Sequence, residues 1–263
     1  MIMNDLNGIL IIDKPADWTS FDVVKKLRGA LRVKRVGHGG TLDPMATGVL
    51  PVFVGRATKM ASYSENADKE YIAGIRFGLT TDTQDITGTV LSSCEGNVTA
   101  EELQGVIPQF LFAQKQIPPM YSAIKIGGRK LYELARKGIE VERPPRDVYI
   151  YKLELLSFTN ADSIVKTDDE PNEMGRHRKG GATERSECLL SGRRSEAQFV
   201  TTCSKGTYIR TLCHDIGAAI GCGAVMSSLR RTSVGDYTIE KAHSLDVVLD
   251  AVERNEIERY FVC

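Results

Sequence analysis

Asp43 sits in the run Gly37-His38-Gly39-Gly40-Thr41-Leu42-Asp43-Pro44-Met45-Ala46-Thr47, a glycine-rich loop behind a basic segment. A carboxylate on irregular, closely approachable backbone is a poor structural element and a plausible reaction centre. Pro44 biases Asp43 toward extended backbone and so partly presets its orientation. The glycines permit conformations closed to other residues and are expected to let a ligand come close. Several chemistries remain open for this acid. It could cap a turn. An aspartyl-phosphate enzyme of the dehalogenase type would need a second aspartate two residues on, where Met45 stands, and a phosphate-binding P-loop would need Gly-Lys-Ser/Thr, where Gly40-Thr41-Leu42 stands. No Ser-His-Asp arrangement can be read from residue order. The residues alone give a lone carboxylate beside a basic helix and name no reaction.

The elements that must hold it follow from pattern. Gly8–Asp13 reads as a buried strand, and a helix capped by Ser20 should carry Val24, Leu27 and Leu31 on one stripe. A strand is expected at Val49–Val54, and alternation of Tyr71, Ala73, Ile75 and Phe77 predicts a strand with one apolar face. Thr99-Ala100-Glu101-Glu102 is a capping box for a helix. Strands should flank Pro118-Pro119, a short helix should run to about Lys137 before Gly138, and Ile139–Arg143, Val148–Phe158 and Gln198–Ser204 read as further strands. A helix should start near Tyr208 and end around Gly221, and Leu245, Val248, Leu249 and Val252 form a stripe behind a Ser244 cap. Strands and helices do not alternate regularly, so an α+β fold is expected.

Composition narrows the class. With 42% hydrophobic and 26% charged residues the chain reads as an ordinary soluble protein, and no apolar run is long enough to span a membrane. The first residues lack a secretory pattern, so a cytoplasmic location is expected. The six cysteines form no Cys-x-x-Cys pair and no metal spacing, and read as free thiols. Net charge is zero, yet Val23–Leu42 holds Lys25, Lys26, Arg28, Arg32, Lys34 and Arg35 with no acid, a local face able to hold phosphates. Residues 161–198 mix seven basic and eight acidic residues without periodicity or aromatics, and read as a disordered insertion.

The loop, continued through Gly48-Val49-Leu50-Pro51 and Val54-Gly55-Arg56-Ala57-Thr58-Lys59, resembles the signature of the bacterial TruB family, pseudouridine synthases acting on the T-loop uridine at tRNA position 55. Asp13-Lys14-Pro15, Trp18-Thr19-Ser20-Phe21-Asp22, Lys69-Glu70-Tyr71 and Thr81-Asp82-Thr83-Gln84-Asp85 recur in order, as do Pro118–Lys125, Cys203–Arg210 and Leu229-Arg230-Arg231-Thr232. The resemblance covers about residues 8–158 and 198–245. It implies a pseudouridine synthase catalytic fold, with a mixed, mainly antiparallel sheet, flanking helices and an active-site cleft. It also implies tRNA (the T-arm) as partner, no cofactor, no metal, no membrane contact and a monomer.

By the same resemblance Asp43 is the catalytic aspartate, Tyr71 the tyrosine that stacks on the target base, and Arg210 the arginine that pairs with the aspartate. His38 helps turn the uridine out of the stack, and Tyr208 and Leu229 line the pocket. Lys14, Lys25 and Arg35 are expected on RNA. The pattern runs out near Leu245, so the expected organisation is a catalytic domain over 1–243 and a short helical tail over 244–263 without a full PUA domain. Two rivals share the scaffold: a non-catalytic tRNA-binding or folding protein, and a guide-RNA-dependent synthase.

Overall fold

The computed structural model describes residues 6–161 and 193–262. The strands are β1 (Gly8–Lys14), β2 (Val36–His38), β3 (Thr47–Val54), β4 (Lys69–Phe77), β5 (Leu79–Thr81), β6 (Val90–Ser93), β7 (Phe112–Gln116), β8 (Lys125–Ile126), β9 (Arg129–Lys130), β10 (Arg146–Thr159), β11 (Glu196–Cys203), β12 (Ala224–Val234), β13 (Tyr237–Thr238), β14 (His243–Ser244) and β15 (Phe261–Val262). The α-helices are α1 (Ser20–Leu31), α2 (Ala61–Asn66), α3 (Ala100–Val106), α4 (Leu131–Ala135), α5 (Ile209–Ile220) and α6 (Leu245–Glu253). The main sheet runs β14-β1-β3-β12-β4-β11-β10-β7, with β2, β13 and β15 paired at its side. Its pairings are antiparallel except β1 with β14 and β3 with β12. This is the mixed, mainly antiparallel α+β architecture expected.

Alternation in β4 explains the larger core. Tyr71, Ala73, Ile75 and Phe77 point to one face, where Phe199 of β11 and Leu212 and Ile216 of α5 meet them. The strand is half-buried, and period two separates its faces. β3 differs: Leu50, Val52 and Val54 face α1 and α6, while Val49 and Phe53 pack on the opposite side. Burial on both faces is why that segment is an unbroken apolar run.

Several expectations need correcting. The cap of α1 is Thr19, whose hydroxyl accepts from the Asp22 amide in a capping box; Ser20 instead turns inward to Leu42. Ile139–Arg143 is not a strand, because its alternation finds no partner and Ile139 is exposed. Only the N-terminal side of Pro118-Pro119 is a strand, β7, and the chain then stays irregular up to Lys125. Most of the expected insertion, residues 162–192, lies outside the described residues. Its far flank does not behave as an insertion: Arg194 and Ser195 are buried and β11 begins at Glu196. The C-terminal helix is no appendage, since Leu245, Val248, Ala251 and Val252 bury against Val23, Val24, Leu27 and Leu31. The central strand β12 was missed altogether.

Gly48 of β3 pairs with Arg231 of β12. Its φ is +100°, and a Cβ there would lie 2.2 Å from the Arg231 carbonyl oxygen, so backbone strain and backbone overlap coincide. We expect Gly48→Ala to lose about 3 kcal/mol of stability. Urea denaturation would show this as a lower midpoint at unchanged slope, and an unchanged midpoint would refute the close-approach argument.

Candidate active site

Asp43 lies in irregular backbone between β2 and β3, and buried side chains anchor that loop. The fully buried Arg231 of β12 donates from Nε to the Val49 carbonyl at 2.8 Å, from Nη2 to Gly40 at 3.1 Å and from Nη1 to Thr41 at 3.4 Å. Ser20 brackets Leu42: the Leu42 amide donates to its hydroxyl at 2.8 Å, and the hydroxyl donates to the Leu42 carbonyl at 3.2 Å. The Pro44 carbonyl accepts from the Asp17 amide at 2.9 Å and from Lys14 Nζ at 3.1 Å. Backbone polar groups without regular structure still require partners, and here buried side chains supply them.

The carboxylate itself meets Arg210, on the first turn of α5. Nε contacts Asp43 Oδ2 at 2.9 Å and Nη2 contacts Oδ1 at 3.3 Å. This two-point geometry fixes the carboxylate plane. The remaining guanidinium donors are spoken for: Nη1 donates to the Thr83 carbonyl at 3.0 Å and Nη2 to the Tyr121 carbonyl at 2.9 Å. Asp85 Oδ2 adds a second anion 3.7 Å from Nη1. Asp85 is held in turn by the hydroxyls of Thr83 and Thr87 and by the Thr87 amide.

Exposure is unequal across the pair. The Arg210 side chain keeps 5% of its surface and the Asp43 side chain 35%, so the cation is sealed and the anion reaches solvent. Partial burial raises the Asp43 carboxyl above the ordinary aspartate range; the Arg210 charge opposes this and Asp85 adds to it.

Tyr71 and Leu229 face the same side of the sheet and join the same core. Burial raises the Tyr71 phenol, while its hydrogen bond from Arg231 and that residue's charge oppose the shift. Tyr208 immediately precedes α5, with its amide and carbonyl both held by the Gln116 side chain, at 2.9 and 3.2 Å. His38 is half-buried at the end of β2; burial, then the Arg231 charge, push its imidazole pKa down. Lys25 and Arg35 are exposed on the approach to the loop.

Lys14 departs from expectation. It is fully buried, with its ammonium on the carbonyls of Pro15 (2.7 Å), Trp18 (2.5 Å) and Pro44 (3.1 Å), and burial lowers its pKa to about 8. A cation with its donors turned into protein props the loop and does not reach RNA phosphates. The glycines also serve differently. A Cβ on Gly39 would strike the Ser64 side chain at 2.4 Å, so Gly39 lets the loop sit on its own scaffold. Arg231 and Asp85 were not singled out as site residues, although both lie in motifs that carry the family resemblance.

Solved structures with this fold locate the class. A chain in the crystal structure of a Cbf5–Nop10–Gar1 complex aligns over 97% of this chain and 58% of its own length, at 29% identity and a TM-score of 0.65. A chain of the archaeal box H/ACA Nop10–Cbf5 complex aligns at 26% identity and 0.60. The fold is that of a pseudouridine synthase. The TruB pseudouridylate synthase N-terminal model matches residues 28–171 and the tRNA pseudouridylate synthase B C-terminal model matches 210–261, and the chain belongs to the TruB family. Among its relatives, the tRNA pseudouridine synthase B of Syntrophomonas wolfei is 44% identical over 94% of this chain and 73% of that protein. That of Alkaliphilus oremlandii is 42% identical over 95% and 72%.

Arg231 is the anchor most readily tested. Arg231→Leu would orphan the carbonyls of Gly40, Thr41 and Val49, and we expect a loss of about 3–5 kcal/mol. Denaturation should show it, and stability within about 1 kcal/mol of wild type would refute the anchoring role.

Proposed function

We propose that the protein isomerises the T-loop uridine at tRNA position 55 to pseudouridine, with Asp43 as the catalytic carboxylate. The observation that carries the reading is the Asp43–Arg210 pair, a solvent-reaching anion fixed in orientation by a sealed cation. The reaction breaks the C1′–N1 bond, turns the uracil and joins C5 to C1′, with no net redox change. A fixed carboxylate can attack the ribose or take a proton from it, dividing one hard step into easier ones. Arg210 favours the ionised form. Tyr71 offers a ring for the base to stack on, and its raised phenol pKa favours a neutral hydroxyl over a standing base. Tyr208 and Leu229 wall the pocket.

The uridine must leave the RNA stack to reach Asp43, at a cost of a few kcal/mol. His38, at the loop's other end and biased toward the neutral ring, can fill the vacated place. Lys25 and Arg35 serve the RNA backbone, which folded RNA presents largely as shape and phosphate. The names of the 42–44% identical bacterial relatives support tRNA as substrate and the cytoplasm as location. A guide-RNA-dependent role rests on structural neighbours of lower identity, 26–29%.

Incubation with unmodified tRNA and mapping of pseudouridine tests the proposal directly. Product should appear at position 55, and Asp43→Asn should reduce the rate at least about a thousandfold while tRNA binding persists. Wild-type protein that binds tRNA and never forms pseudouridine would establish the folding-protein reading instead.

A second test uses pH. Asp43 must be ionised to act, and burial already raises its pKa, so activity should fall on acidification at a higher pH than for a solvated aspartate. Arg210→Met removes the largest opposing influence and should move that acid limb of kcat further up in pH. An acid limb that stays in place would mean Arg210 does not tune Asp43.

A further inference from the structure

Two cysteines distant in sequence meet at the end of α5 away from Arg210. Ten residues separate Arg210 from Ile220, a rise of about 15 Å along the helix, and Cys222 lies just beyond. Cys94, exposed after β6, places its thiol 3.2 Å from the carbonyl oxygen of Cys222, across a separation of 128 residues. Cys222 is half-buried and donates to the Gly223 carbonyl at 3.3 Å. Gly78 lies between the two segments: its carbonyl accepts from the Cys94 amide at 2.8 Å and its amide donates to Gly223 at 2.9 Å. The buried Arg194 braces the same corner, with Nη2 on the Ser93 hydroxyl at 2.7 Å and Nε on the Gly78 carbonyl at 3.3 Å.

Disulfides need two backbones already close, because the bond tolerates little strain. One sulfur lies against the other cysteine's carbonyl, and Gly78 ties the Cys94 backbone to Gly223, the residue next to Cys222, so the two segments are already held together. The other described thiols are poor competitors. Cys203 and Cys213 are buried in the larger core, where burial pushes both thiols up, Cys203 to about 12; burial also raises the thiol of Cys222, which is only half-buried.

We propose that Cys94 and Cys222 form a reversible intramolecular disulfide under peroxide, stapling the end of β6 to the turn between α5 and β12. In the first step the Cys94 thiolate attacks a peroxide oxygen, giving a sulfenic acid and releasing hydroxide. The Cys222 thiolate then attacks the Cys94 sulfur and displaces the second hydroxide. Two thiols and one hydrogen peroxide thus yield one disulfide and two waters, with both electrons passing from sulfur to peroxide. The exposed thiol meets the oxidant and the half-buried one resolves it. The staple links the helix carrying Arg210 to the hairpin whose turn carries Thr83 and Asp85. It therefore tightens the frame of the site without touching it.

The test uses the full-length reduced protein, treated with stoichiometric hydrogen peroxide, alkylated and digested without reductant. The expected product is a peptide pair joining residues 94 and 222, lighter by two hydrogens and released by dithiothreitol. It should be absent from Cys94→Ser and from Cys222→Ser. The oxidised wild type should melt about 5 °C or more above the reduced form, with no such shift in Cys94→Ser. A link from Cys94 to Cys188, to Cys263 or to a second molecule would overturn the proposal. So would peroxide adducts at Cys94 with no partner, or an unchanged melting temperature in the linked protein.

Discussion

The arrangement depends first on one buried cation. Arg231 is withdrawn from water in the C-terminal half of β12, and a guanidinium there is tolerable only if its donors find acceptors. They find the carbonyls of Gly40, Thr41 and Val49 and the Tyr71 hydroxyl. The same contacts solve the loop's problem, since an irregular segment has carbonyls that no helix or sheet satisfies. Each side therefore requires the other. A loop that must expose a carboxylate cannot be stabilised by burying that carboxylate, so it is stabilised through its backbone from below.

Arg210 adds a different constraint, on direction. It has more acceptors than Asp43 alone: two carbonyls, from Thr83 and Tyr121, and the flanking Asp85. These hold the guanidinium in place independently of Asp43, so the Asp43 carboxylate is positioned by an already fixed partner. Asp85 is the more buried of the two acids and is satisfied by threonine hydroxyls and an amide. It balances the cation internally, leaving Asp43 as the member of the trio that reaches solvent.

How much of this was legible in the sequence depended on whether the determinant was local. The β4 alternation, the Thr99–Glu102 capping box and the Ser244 cap are local rules, and they hold. β12 escaped because register shifts between Met226 and Ser228 and between Arg231 and Ser233 break its period of two. Ile139–Arg143 shows the converse, alternation with no neighbouring strand to pair. Lys14 was expected on RNA and Arg231 was not singled out, because nothing in a sequence distinguishes a buried, carbonyl-bound cation from a surface one. Asp43 and Arg210 are 167 residues apart, and only the family resemblance joined them.

The glycines of the loop show how function and packing trade places once contacts are known. Their spacing admits close approach by a ligand, yet Gly39 makes room for Ser64 and Gly48 for the Arg231 backbone. What the absent side chains permit is descent of the loop onto β12 and α2, near enough for Arg231 to reach its carbonyls. The consequence is a loop held through its backbone at Gly40, Thr41 and Val49 by Arg231 and at Pro44 by Lys14, so that the Asp43 side chain is left free to pair with Arg210 and keep part of its surface exposed.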